Sequence, residues 1–291
     1  MKHFFKALFL FACFASCKTL IKTSEPTNDQ YPGVDYVKVG ELTGLYDDPY
    51  VFNLRNNQKE LVFIGTEHTN DPKHKQFKII ETYFSHAVPE IVFHEGGPLL
   101  DTTHLKTSEE AIMHHQETGY LKFLCKNWGI QMENADLTAR EEFRLMLQKY
   151  SQEELFLYYT VERLIYPFQH GFEGKLTLQE AYSNFINNYL SKHSFPITTE
   201  QKDFNYFEKL YKKHIGTSFN LATYDYSKFN FLVDNGRFSQ IGRASKVVRD
   251  NALLAKIDEA LNRYDRVFVI FGSAHALAVE PALVKIIKNK H

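Results

Sequence analysis

The sequence predicts an α/β fold, a mostly parallel central sheet flanked by helices, with a helical insertion forming a cap over the sheet edge. Three observations lead there. Short β-rich runs alternate with helical patterns early in the chain, as in a βαβ unit. A run of β-formers followed by Gly-x-x-His occurs twice, as "FIGTEH" ending at His68 and "IFGSAH" ending at His275. Between about residues 137 and 235 the patterns are helical with no convincing strand, which marks an insertion.

Each element follows from local chemistry. "VDYVKVG" from Val34 reads as a strand, and "PYVFNLR" and "ELVFIG" as two more joined by a hairpin-type turn. Phe77, Ile80 and Phe84 then recur at helical spacing. "PEIVFHEGG" opens on Pro89, runs apolar to Glu95 and closes on glycine. Strand, helix and strand in this order favour parallel pairing. "TSEEAIMHHQETGYLKFLCKNWG" has an N-cap residue, early acids and a glycine stop, the punctuation of a helix. "IQMENAD" is a short strand. Four helical stretches fill the insertion, beginning at Leu137, Ser151, Thr177 and Thr198. A long amphipathic helix from about Ser239 leads to the strand "DRVFVIFG", and "PALVKIIKNK" closes as a short helix.

Residues 1–17 stand apart from the fold. A short basic start precedes an apolar run too short to span a bilayer as a mature helix, which is the build of a secretion signal. Its end, Phe14-Ala15-Ser16-Cys17, resembles a bacterial lipobox. That resemblance implies cleavage before Cys17 and lipid attachment there. Residues 18–33 then read as a flexible tether, and 34–291 as the domain. The expected location is the cell envelope, lipid-anchored to a membrane.

Charged residues make up 24% and the hydrophobic set 44%, too apolar for disorder and too polar for a multi-span membrane protein. The net charge is −1 and no basic run is dense enough to bind nucleic acid. Of the three cysteines, Cys13 and Cys17 belong to the leader and lipobox. Cys125 is left alone on an apolar helix face, where a buried structural thiol is expected, and no internal disulfide can form.

In an open α/β sheet, ligands gather outside the carboxyl ends of the strands. His68 and His275 both follow a strand by a few residues, and Glu95 ends another, so the three should project at one edge. Two imidazoles and a carboxylate suit a divalent cation such as zinc, manganese, cobalt or iron. Such an ion acidifies water and polarises a carbonyl or phosphoryl oxygen. Without metal, one histidine would act as general base beside Glu95. Gly65 and Gly272 would let the backbone turn and approach a ligand closely. Glu133, with Asp136, ends a further strand and joins the same edge; Glu133 or Glu67 would serve as base or hold a ligand in place. His94 alternates to the opposite side of its strand, and His114 and His115 have no partner at metal-binding spacing. His170 sits in a loop that would line a cleft.

The paired "GTEH" and "GSAH", the intervening "FHEGG" and the "RDN" before the last strand resemble the TraB/GumN/TIKI family. This is part of a superfamily that includes erythromycin esterases and ChaN-like haem-binding lipoproteins. The resemblance covers about residues 61–95 and 245–283. It implies a metal-dependent hydrolase of an amide or ester bond, with metal on His68, Glu95 and His275; Glu133, read from its strand end, would assist. Arg249 and Asn251 match the family's arginine-asparagine element, separated here by Asp250, and would bind substrate with His170. It equally implies an alternative, a non-catalytic haem- or iron-binding lipoprotein in which "NLATYDYSKF" would offer a tyrosine ligand. The expected partners are a peptide or small-molecule substrate and the membrane.

Overall fold

In the computed structural model, which describes residues 31–96, 106–171 and 174–290, the first element among the described residues is a helix. α1 (Tyr36–Leu42) occupies the stretch that reads as a strand in the sequence. The β-branched valines suggested extension. The Asp35 side chain, however, accepts from the Val37 amide, and buried Tyr36 and Val39 stand three apart, on one helical face. The leader, Cys17 and residues 18–30 lie outside the described residues. The end of the expected tether is tied down: Tyr31 is buried with its hydroxyl donating to Asp258, and the Val34 amide donates to Ala278.

β1 (Tyr50–Asn56) and β2 (Lys59–Thr66) form the expected antiparallel hairpin. α2 (Lys75–Ala87), β3 (Ile91–His94), α3 (Ser108–Trp128) and β4 (Gln131–Asn134) follow. The insertion holds α4 (Ala139–Met146), α5 (Gln152–Thr160), α6 (Tyr166–Gln169), α7 (Leu178–Asn184) and α8 (Phe204–Ile215). α9 (Arg237–Arg263), β5 (Arg266–Gly272) and α10 (Ser273–Lys288) complete the chain. The last helix thus starts eight residues before the expected Pro281 and runs through that proline. His275 consequently sits in the first turn of a helix rather than in a loop.

The sheet order is β1-β2-β5-β3-β4, parallel except for the β1–β2 pair. The final strand inserts between the two strands of the opening βαβ unit. Side chains alternate across it. Leu61, Phe63, Ile91, Phe93, Val267 and Val269 pack against α9 and α10. Val62, Ile64, Val92, Phe268 and Ile270 pack against α2 and α3. Both faces are covered, which is why these strands read as unbroken apolar runs. Cys125 belongs to the second layer, and burial pushes its thiol up to about 12. A separate aromatic core, including Phe143, Tyr158, Tyr159, Phe207 and Phe229, holds the insertion together. α9 links the two cores: Phe238 and Ile241 belong to the insertion, Leu253 and Ile257 to the sheet.

Candidate functional site

The strand order brings the two Gly-x-x-His segments side by side. In the β2–β5 ladder Gly65 pairs with Phe271 and Thr66 with Gly272, while His94 pairs with Ile270 across β5. The Glu95 amide donates to the Ile270 carbonyl, which fixes the carboxylate beside Gly272. A methyl group on Gly272 would stand 3.2 Å from Glu95 Oε2 and 3.9 Å from both His68 Nε2 and His275 Cδ2. The three side chains therefore surround one point. Gly272 has φ −59°, so its role is close approach rather than a left-handed turn. The same holds at Gly65, where a Cβ would come within 2.7 Å of the Ala276 Cβ.

Each imidazole is held by a carboxylate. His275 Nδ1 lies 2.5 Å from Asp250 Oδ1, and the Tyr36 hydroxyl donates to Asp250 Oδ2 at 2.8 Å. Donation of the Nδ1 proton to Asp250 leaves Nε2 as an acceptor. That Nε2 is buried, makes no hydrogen bond among the described residues, and stands 3.9 Å from Glu95 Oε1. His68 Nδ1 lies 2.6 Å from Glu117 Oε1, and its side chain is 55% exposed. The hydrogen bond to Glu117 raises the pKa of His68 against the opposing effect of burial. A loop lock aims this residue: Gln76, fully buried, accepts from the Glu67 amide and donates to its carbonyl.

Arg249 is buried, not on the surface, and joins two acids. Its Nη2 donates to Glu95 Oε1 and Asp136 Oδ2, each at 2.6 Å, and its Nε to Asp136 Oδ1 at 2.8 Å. The second Glu95 oxygen accepts from the Gly272 amide at 2.6 Å. Burial alone would raise the Glu95 pKa. Arg249, the two histidines and this amide outweigh it and hold the carboxyl well below its usual range. Partly buried Lys246, one turn before Arg249, places its ammonium 4.5 Å over the Phe231 ring, and desolvation lowers its pKa.

Outside this cluster lies a cavity of about 520 Å³ lined by His68, Glu95, Glu117, Asp136 and Arg249 on the sheet side. Arg163, Tyr189 and His193 of the insertion form the facing wall. Arg163 and Tyr189 sit in two π-helical stretches, Val161–Ile165 and Phe185–Ser191, and Arg163 donates to the Tyr189 hydroxyl. Such π-bulges re-aim side chains and recur at functional sites.

Several expected residues lie elsewhere. Glu133 is exposed and accepts from Gln131; Asp136, past the strand end, takes the place beside Arg249. Glu67 shares a hydrogen bond with Asp48, which raises its pKa, and lines a different hollow. His170 is exposed and folded back on the Tyr166 carbonyl, so the insertion reaches the cavity through other residues. Asn251 lines a hollow with Tyr31 and Val34, because successive helix positions point about 100° apart. Tyr224 and Tyr226 of "NLATYDYSKF" do not line the cavity. His94 is buried away from it, as alternation implied. Asp250, read as an interruption of the arginine-asparagine element, is instead the partner of His275. Tyr36 and Glu117 carry no signal in the sequence: one lies in a valine-rich stretch patterned like a strand, the other just past a helix break.

Among the described residues, no three His, Cys, Asp or Glu side chains stand close enough to hold a metal ion as arranged. The donor chemistry nonetheless fits one. His275 Nε2 is an orphaned buried atom, and its 3.9 Å separation from Glu95 Oε1 is near the widest two ligands of one ion with bonds of about 2 Å can span, so the pair would draw together on an ion. Carboxylate-held Nδ1 atoms are the usual support of metal-binding imidazoles. Half-exposed His68 would close the set by a side-chain movement.

No family model, curated protein or solved structure matches the chain. The class defined by fold and site is an α/β protein with a carboxylate-oriented histidine pair at the carboxyl edge of its sheet.

Proposed function

We propose that this chain is a hydrolase of an amide or ester bond, working in the cell envelope as a lipid-anchored protein of the TraB/GumN/TIKI kind. One observation carries the reading: the buried, unpartnered Nε2 of His275, with its Nδ1 held by Asp250 beside Glu95 and Arg249. A buried acceptor left unmet costs about 1–3 kcal/mol, a cost tolerated where a site waits for an occupant.

Asp250 fixes the tautomer of His275 and Tyr36 fixes Asp250, so Nε2 is available to hold a ligand or take a proton. Glu117 does the same for His68. Arg249 keeps Glu95 ionised and faces the cavity, where its charge would stabilise a developing oxyanion. His68, Glu95 and His275 would hold a divalent cation, whose Lewis acidity would lower the pKa of water toward neutrality. The wall of Arg163, Tyr189 and His193 would set which substrate enters.

The test is a panel of esters and peptides assayed with chelated protein and with added manganese, cobalt, zinc or ferrous iron. Hydrolysis lost by about a thousandfold in His275→Ala, with the fold retained, is the expected result. Equal turnover in wild type and His275→Ala overturns the proposal. So does a stoichiometric Soret band on adding haem with no hydrolysis anywhere in the panel, which is the ChaN-like outcome.

A further inference from the structure

Glu117 stands on a built-in defect. α3 is broken at His115 (φ −140°, ψ 18°) and Gln116 (φ 53°, ψ −143°). The second conformation belongs essentially to glycine and costs on the order of 1–3 kcal/mol for another residue. Gly119 makes the break possible, since a Cβ there would fall 2.3 Å from the Ala111 carbonyl oxygen and 2.6 Å from His115 Cβ. Strained residues persist where the surrounding structure holds them, and they cluster at functional sites. The product of this strain is an inward carboxylate, 3% exposed, on the wall of the cavity.

One Glu117 oxygen is accounted for by His68; the other is not. Oε2 is buried and has no hydrogen-bond partner among the described residues. An ionised carboxylate only accepts, and Glu117 lines the cavity, the side from which a ligand's donor would reach it. The charge around it points to the kind of donor. Glu95 and Asp136 share Arg249, and Glu142 has Arg163, but among the described residues Glu117 has only the His68 imidazole. A charged donor gains most at such a position.

We propose that Glu117 Oε2 recognises a protonated amine on the substrate, so that the preferred ester or amide carries a free ammonium group. This rests on the hydrolase reading for the word substrate, but the binding step stands by itself.

The test separates the two. Chelator-treated full-length protein is titrated with n-butylammonium and, as a neutral mimic of the same shape, 1-butanol, following the His68 ring by NMR. Saturable shifts with the ammonium and none with the alcohol are expected, with affinity about tenfold lower in Glu117→Gln. Glu117→Asp retains a carboxylate and should keep the ammonium preference, which covers failure of the glutamine variant to fold. Indistinguishable binding of ammonium and alcohol by wild type overturns the proposal, as does unchanged ammonium affinity in Glu117→Gln. In turnover, Glu117→Gln should lower kcat for an amino ester and its N-acetyl form alike, because Glu117 also holds His68, but should raise KM for the amino ester alone. A KM ratio between the two esters equal to that of wild type refutes amine recognition. Absence of hydrolysis with a positive binding result sinks the hydrolase reading alone.

Discussion

Asp250→Asn is the sharpest perturbation of the site. Asparagine matches aspartate in shape, so no cavity opens. Its oxygen can still accept from Tyr36, replacing the 2.8 Å bond to Oδ2. Its amide then faces His275 Nδ1, where a carboxylate oxygen stood at 2.5 Å. An amide donates, so His275 must turn Nδ1 into an acceptor and carry its proton on Nε2. The acceptor aimed at Glu95 is lost. In a histidine base held by aspartate, the same exchange lowers kcat by about 10⁴-fold. Loss of a buried charged hydrogen bond should also cost roughly 1.5–3 kcal/mol of stability. The assay pairs kcat on the best panel substrate with a urea midpoint and the ¹⁵N shifts of His275, which report the tautomer directly. A folded variant with the proton moved to Nε2 but kcat within tenfold of wild type would refute the role assigned to this imidazole.

Three further outcomes follow from the same geometry. The His68 pKa, read by NMR in metal-free protein, should lie above the ordinary value of about 6.5 and fall in Glu117→Gln, because the Glu117 hydrogen bond raises it. Its stabilising contribution is present below the unfolded pKa and is lost as pH rises through the folded one. Glu95 works in the opposite direction. Its folded pKa is depressed, so its contribution is full above the unfolded value of about 4.3 and is lost as pH falls below that toward the folded pKa. Glu95→Gln should flatten the acid limb of a urea-midpoint-against-pH curve; an unchanged limb contradicts the ion-pair account. Gly65→Ala should cost about 1–3 kcal/mol, since the added methyl meets Ala276 Cβ at 2.7 Å and Ser273 Cα at 2.9 Å. A urea midpoint equal to wild type would show that α10 can shift freely.

The sheet and the meeting of its two histidine segments were legible because parallel strands buried on both faces leave long apolar runs. A glycine that must admit close packing also leaves a visible mark. His68, Glu95 and His275 needed only strand ends to be placed. What surrounds them was not legible, and for physical reasons. Asp250 and Arg249 are neighbours in sequence, but a helix turns about 100° per residue, so they serve different partners. Asp136 replaced Glu133 because the chain leaves β4 before the cavity begins. Tyr36 arrives from an N-terminal helix whose valines favoured a strand, and its contact with Asp250 spans 214 positions. Glu117 depends on a backbone break that composition does not announce. The cavity wall depends on π-helical register shifts, which move Arg163 and Tyr189 inward and leave His170 outside.

Whether the two imidazoles act on a common occupant decides the whole account, and a cobalt(II) titration followed by visible absorption measures it. Wild-type protein should take up one equivalent with ligand-field bands of a nitrogen-oxygen site, while His68→Ala and His275→Ala should each lose that stoichiometric binding. Full uptake with unchanged bands in both single variants would contradict a shared site.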